Sequence, residues 1–135
     1  MISRDDWLMK MALVVSERST CNRLHVGAIL TRSHRVLSTG YNGNVSGTAH
    51  CDHTDASGPC ETAVHAEANA LVFAARMGVA TEDALLVSTH EPCLQCAKLI
   101  INAGVSGVWY RTPYRVHDGI ELLRTTGVQV CQKHE

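Results

Sequence analysis

Four side chains in two short pieces of this sequence have the types and spacing for metal-assisted chemistry. "HAE" supplies His65 and Glu67 around Ala66, and "PCLQC" supplies Cys93 and Cys96 after Pro92. Two soft thiolates and a neutral imidazole suit zinc. A Cys-x-x-Cys pair at a helix start lets both sulfurs reach one ion, and the helix N-terminus favours thiolate over thiol. Three protein ligands leave a fourth tetrahedral position for water, the pattern of a catalytic rather than a closed structural site. Glu67 beside that water can take its proton and pass it to a substrate nitrogen. Positions i and i+2 of a regular helix diverge, so His65 and Glu67 converge on one water only if His65 stands at or next to the start of its helix. Each piece alone has an ordinary reading: the cysteines a redox pair, the histidine a cap, the glutamate a partner of the helix dipole.

A second stretch, "CDHTDASGPC" from Cys51 to Cys60 with His50 before it, is also rich in metal-binding types. A disulfide loop, a metal clamp and an ordinary surface loop all remain open for it.

The elements that must position these groups follow from the apolar pattern. Ser3 is an N-cap with Asp5 and Asp6 in the first turn, and Trp7, Leu8, Met11, Val14 and Val15 recur at helical spacing, predicting a helix over 3–18. "VGAILT" (26–31) and "RVLSTG" (35–40) read as a hairpin around Ser33 and His34. Residues 41–62 read as a long loop, uncommon inside a compact domain and usually functional. Helices follow over 65–78, 93–104 and 117–126, the first two closed by Gly78 and Gly104. Strands follow over 84–90, 107–111 and 128–132. The order α-β-β-α-β-α-β-α-β suggests a five-stranded sheet with helices on both faces.

The 135 residues read as one domain over 1–135, with 45% hydrophobic and 4% aromatic residues and thus an aliphatic core. A net charge of −1 does not advertise a nucleic-acid binder. No secretory signal or membrane-length apolar run is visible, so the expected location is the cytoplasm, where six cysteines are metal ligands or thiols rather than disulfides. Cys131 reads as a buried apolar thiol.

H-x-E…P-C-x-x-C is an established signature of zinc deaminases. With "CNRLHVGAIL", "STGYNG", "HAEANAL", "EPCLQCAKLIINAG" and "VWYRTPY" in family order over residues 21–114, the chain resembles the deoxycytidylate (dCMP) deaminases of the cytidine deaminase superfamily. The resemblance implies a three-layer α/β/α sandwich around a mixed five-stranded sheet. It implies hydrolysis of dCMP to dUMP and ammonia, supplying dUMP for thymidylate synthesis, with zinc hydroxide attacking C4 and Glu67 shuttling protons. It places Asn42 on the sugar, the Ala66 backbone N–H on the base and Tyr114 near the substrate. Asn42 could instead make a turn with Gly43, and Tyr114 could pack at the rim. Arg23 and Arg115 are candidates for the phosphate, or solvated charges. The resemblance also implies a homo-oligomer, commonly a hexamer, with dCTP and dTTP as effectors alongside magnesium in some members. A tRNA adenosine deaminase and a non-enzymatic zinc module are the rival classes; the first needs basic surface, the second has no use for Glu67.

In some dCMP deaminases cysteines at the positions of Cys21 and Cys51 bind a second, structural zinc. A further ligand in one branch comes from an insertion that this chain lacks. Cys60 and one histidine are local substitutes that would close a Cys3His site. His53 is preferred to His50, because side chains two apart across a bend converge more easily than adjacent ones. A disulfide and free loop cysteines remain the competing readings.

Overall fold

The computed structural model describes residues 1–53 and 60–134. Part of the loop expected over 41–62, residues 54–59, lies outside the described residues. The described chain runs α1 (Arg4–Ser16), β1 (Gly27–Arg32), β2 (Arg35–Tyr41), α2 (Ala66–Arg76), β3 (Leu85–His90), α3 (Leu94–Asn102), β4 (Gly107–Thr112), α4 (Asp118–Thr125) and β5 (Gln129–Gln132). The strands form one mixed sheet in the order β2-β1-β3-β4-β5. β1 is antiparallel to β2 and β3, whereas β3, β4 and β5 run parallel.

Local chemistry accounts for the element ends. The Ser3 hydroxyl accepts from the Asp6 N–H at 3.1 Å and starts α1. Ser33 and His34 both take positive φ, 51° and 62°, the backbone that a two-residue hairpin turn needs. Gly78 and Gly104, at φ 71° and 79°, supply the left-handed residue that ends α2 and α3.

Alternation along the strands sends side chains to two cores. Ala28 and Leu30 of β1, Leu86 of β3 and Val108 of β4 face α2, α3 and α4, where Ala70, Ile100 and Leu123 meet them. Ile29 and Val87 face the other way, onto Leu8, Met9 and Ala12 of α1. The sheet thus carries three helices on one face and one on the other. Leu8, Ile29, Leu86, Ile100 and Leu123 are 0% exposed, and burying each such side chain contributes roughly 1.5–3 kcal/mol.

α1 forms where the spacing predicts it. It buries Leu8, Met9 and Ala12, leaving Trp7 and Val14 at 42% and 62% exposure, so the apolar residues that mark the helix do not all lie on its packed face. The packed face uses small Ala12 because α1 lies close over β1: a Cβ on Gly27 would come within 2.2 Å of the Ala12 carbonyl oxygen. One expectation fails: Cys131, expected to be buried, is exposed on edge strand β5, because α1, the helix on that face, packs on β1, β2 and β3.

Candidate active site and metal centres

The parallel strands β3 and β4 end on the same side of the sheet, where ligand sites form in open α/β sheets. Residues that leave β3 there reach the Pro92–Cys93 turn, and those that leave β4 reach Tyr114. α2 is brought over the sheet at Gly40, where a Cβ would lie 2.3 Å from the Ala66 carbonyl oxygen. No residue larger than glycine lets the start of α2 come so close.

His65 is the N-cap of α2 and Cys93 the N-cap of α3, both with extended backbone and neither using its side chain as a cap. Their donors are therefore free to meet. His65 Nδ1 lies 3.4 Å from Cys93 Sγ and 3.4 Å from Cys96 Sγ, and the three donors lie within 4.8 Å of one another. Zinc bonds of ~2.3 Å to sulfur and ~2.0–2.1 Å to nitrogen make a tetrahedral S···N edge of about 3.6 Å, so the trio fits zinc. In the metal-free chain the Cys96 thiol and the His65 ring donate to Cys93, whose pKa is brought down to about 4 against its burial. Cys96 is pushed up, chiefly as the thiol donating to that thiolate. His65 is raised by its bond to the same thiolate.

Glu67 stands in the first turn of α2 at 4% exposure. Burial pushes its carboxyl up to about 7, against the pull of the His65 charge. A carboxyl balanced near neutrality can both accept and return a proton.

His65, Ala66, Glu67 and Cys93 line a cleft together with Asn42, Arg23 and Tyr114. Asn42 makes no turn with Gly43. Its Oδ1 accepts from the Val26 N–H at 2.9 Å and from the Ser19 hydroxyl, and its Nδ2 donates to the Leu24 carbonyl at 2.7 Å. It thus fixes the 19–26 segment on the cleft wall and keeps one amide hydrogen in hand. Arg115 is not among the cleft-lining residues; its guanidinium lies 5.8 Å from the Tyr114 ring centre.

The stretch from Cys51 to Cys60 brings together a second cluster. Cys21, Cys51, His53 and Cys60 place their donors within 4.8 Å of one another, with Cys21 Sγ 3.5 Å from His53 Nε2. That spacing fits a Cys3His tetrahedron as the trio's does. The Asn22 side chain braces the loop, accepting from the His53 N–H at 3.1 Å and donating to Asp52 at 3.3 Å. Burial works against a Cys60 thiolate, but the Ala63 and Thr62 N–H groups, the Thr62 hydroxyl and the Cys51 thiol bring its pKa down to about 6. Burial and the bonds to Cys21 and Cys60 raise Cys51 to about 11. His50 lines a separate groove beside β2.

Sequence reasoning missed Glu91 and His117. The buried Glu91 carboxylate accepts from the Tyr114 N–H at 3.0 Å and from His117 Nδ1 at 2.9 Å. Its own N–H donates to the Thr112 carbonyl at 2.9 Å. α4 closes over this latch at Gly119, where a Cβ would lie 2.5 Å from the Pro92 carbonyl oxygen. The Tyr114 wall and the metal-ligand turn are thus tied to one carboxylate. A glutamate adjoining "PC" was the available signal; its partners come from β4 and α4 and have no signature in sequence.

An α/β sheet that aims two helix starts and a buried carboxylate at one set of metal-binding donors carries the H-x-E…P-C-x-x-C arrangement of the zinc-dependent deaminases. Residues 2–112 match the family model for the cytidine and deoxycytidylate deaminase zinc-binding region, and the chain belongs to that family. It is 39% identical to the dCMP deaminase of cyanophage S-TIM5, solved with dCMP and dUMP, at a TM-score of 0.89 and over 96% of each chain. ComE operon protein 2 of Bacillus subtilis is 38% identical over 97% of this chain and 71% of its own length. Deoxycytidylate deaminase of Schizosaccharomyces pombe is 35% identical over 96% of this chain, which spans 44% of the yeast enzyme.

Proposed function

We propose that this chain is a single deaminase domain over residues 1–135 that hydrolyses dCMP to dUMP and ammonia. The observation that carries the reading is Glu67, buried in the first turn of α2 beside three soft donors that fit one zinc. Its relatedness to dCMP deaminases supports the choice of substrate.

His65, Cys93 and Cys96 hold the metal. Zinc, when bound, supplies a Lewis acid at its open position that makes water acidic enough to add to the pyrimidine at C4. Glu67 accepts a proton from that water and delivers it to N3, then moves the second proton to the departing amine, so that water adds and ammonia leaves. The Ala66 N–H holds the base and the spare Asn42 amide hydrogen meets the sugar. Tyr114, positioned through Glu91, walls the substrate. Arg23, on the cleft, is the better phosphate candidate than Arg115.

Cys21, Cys51, His53 and Cys60 hold a second, structural zinc. Metal analysis of the purified protein gives two zinc per chain on this reading; one would remove the second site. Exposed Val72, Phe73 and Met77 on and after α2, at 56%, 40% and 76%, support a homo-oligomer, a hexamer by family resemblance, in the cytoplasm. Light scattering checks the assembly. Titration of activity with dCTP and dTTP in magnesium checks the effectors. Among the described residues no helix is long and apolar enough to cross a membrane.

The function is tested by assaying dCMP and tRNA with Glu67→Ala as control. Turnover of dCMP alone, abolished in the variant, is expected. Adenosine deamination in tRNA, or full activity of the variant, would contradict it.

A further inference from the structure

Residues 19–26, between α1 and β1, belong to both sites. Cys21 carries one donor of the Cys21, Cys51, His53 and Cys60 cluster, and Asn22 is bonded to His53 and Asp52 beside it. Ser19, Leu24 and Val26 hold Asn42 on the wall of the cleft. The Ser19 hydroxyl joins the two sets. It accepts from the Cys21 N–H at 3.3 Å and donates to Asn42 Oδ1.

The direction of each bond is fixed. The Val26 N–H can only donate and the Leu24 carbonyl can only accept, so the Asn42 amide has one orientation, Oδ1 on Val26 and Nδ2 on Leu24. Ser19 Oγ then faces two acceptors of Asn42, Oδ1 and the backbone carbonyl oxygen at 3.0 Å. Its hydrogen belongs to Asn42, and its lone pairs are left for Cys21. Ser19 is 9% exposed and Asn42 8%. The link is therefore made away from bulk water, where a hydrogen bond is stronger than in solvent.

Cys21 lies on the loop between α1 and β1, whereas the other three donors lie on the loop between β2 and α2. An ion bound to all four pins the two loops together. It fixes the Cys21 N–H, which anchors the Ser19 hydroxyl, which anchors the Asn42 amide that follows β2. Coupling between sites needs such an element, biased from both ends. Resting on the readings of this cluster as a zinc site and of Asn42 as a substrate contact, we infer that Ser19 is a positioning residue: through it, metal in the Cys21 cluster holds the Asn42 amide in place and tightens nucleotide binding. The coupling is reciprocal, so bound nucleotide also retains that metal.

The test is a double-mutant cycle on the zinc-loaded full chain, read by calorimetric binding of dUMP and by elemental analysis. His53→Ala removes the zinc of this cluster. Ser19→Ala removes the hydroxyl and should keep the wild-type zinc content. Each alone should weaken dUMP binding at least about 5-fold, the lower end for coupling between sites. Together they should weaken it by no more than about twofold beyond the larger single loss, because both break one link. Losses that multiply belong to separate, general loosening and overturn the inference. Undiminished dUMP binding in His53→Ala, at one zinc fewer than the wild type, overturns it too. Should Ser19→Ala not fold, Ser19→Gly carries the same expectation. Failure of the readings beneath is seen separately: a wild type with one zinc per chain removes the cluster as a zinc site, and Asn42→Ala binding dUMP as the wild type does removes the substrate contact.

Discussion

The two cysteine–histidine clusters use the same donor types at nearly the same spacing, yet they are built differently. His65, Cys93 and Cys96 stand on the starts of α2 and α3, and the trio stops one ligand short of a tetrahedron. Cys21, Cys51, His53 and Cys60 stand on loops, and the quartet is closed. The open cluster has buried Glu67 beside it. The Asp52 carboxylate next to the closed one is bonded to Asn22, bracing the loop. Donor type alone therefore does not separate chemistry from architecture; the count of donors and the carboxylate beside them do. The clusters are also neighbours, because Cys21 and Cys60 lie on the wall of the cleft. The closed cluster can thus shape the site without taking part in the reaction.

The widest separation between the clusters should come from Cys96→Ala. It removes one zinc per chain and lowers dCMP turnover by at least about 10³-fold, since metal-ion catalysis is worth several kcal/mol. Elemental analysis and a steady-state assay read both effects.

Glu67 gives the next effect, in the chelated protein. Its folded pKa, about 7, lies above its ordinary 4.5. The folded state therefore binds more protons between those values, and the associated stability is full below about pH 4.5 and lost as pH rises through about 7. Relative to Glu67→Gln, the metal-free wild type should lose about 3 kcal/mol over that window in urea unfolding. A parallel pair of curves would contradict the burial of this carboxyl.

On the closed cluster, His53→Ala should remove the other zinc and lower the thermal midpoint by on the order of 10 °C. Turnover per folded chain should fall far less than in Cys96→Ala. If it fell as far, the contrast between the clusters would collapse. The smallest effect belongs to the latch. Glu91→Gln places an amide against the His117 donor and should raise KM for dCMP about 10-fold at unchanged zinc content, as for one hydrogen bond to a charged group.

Legibility followed distance along the chain. "HAE" and "PCLQC" could be read because each packs its ligands into one helix start, and the helix breakers around them marked where those starts fall. Cys51, His53 and Cys60 were readable together for the same reason, whereas Cys21 came only through family resemblance, since a loop 30 residues earlier has no local tie to them. The sheet emerged from the apolar runs to within one residue at every strand end, and the helices to within two. Which face α1 buries did not emerge, because Trp7 and Val14 have the apolarity of core residues and only the close approach at Gly27 selects Ala12 instead. Glu91 and His117 were silent because their partners come from other parts of the chain. Their roles arise from the register of β3 on β4 and from α4 closing over Pro92.

The central claim is that the open cluster catalyses through Glu67. The most direct measurement is dCMP turnover by Glu67→Gln, with zinc counted on the same sample. The account predicts a zinc content equal to that of the wild type and turnover lowered at least about 10²-fold, the lower bound for a positioned proton carrier. Turnover within a few-fold of wild type at that zinc content would contradict it.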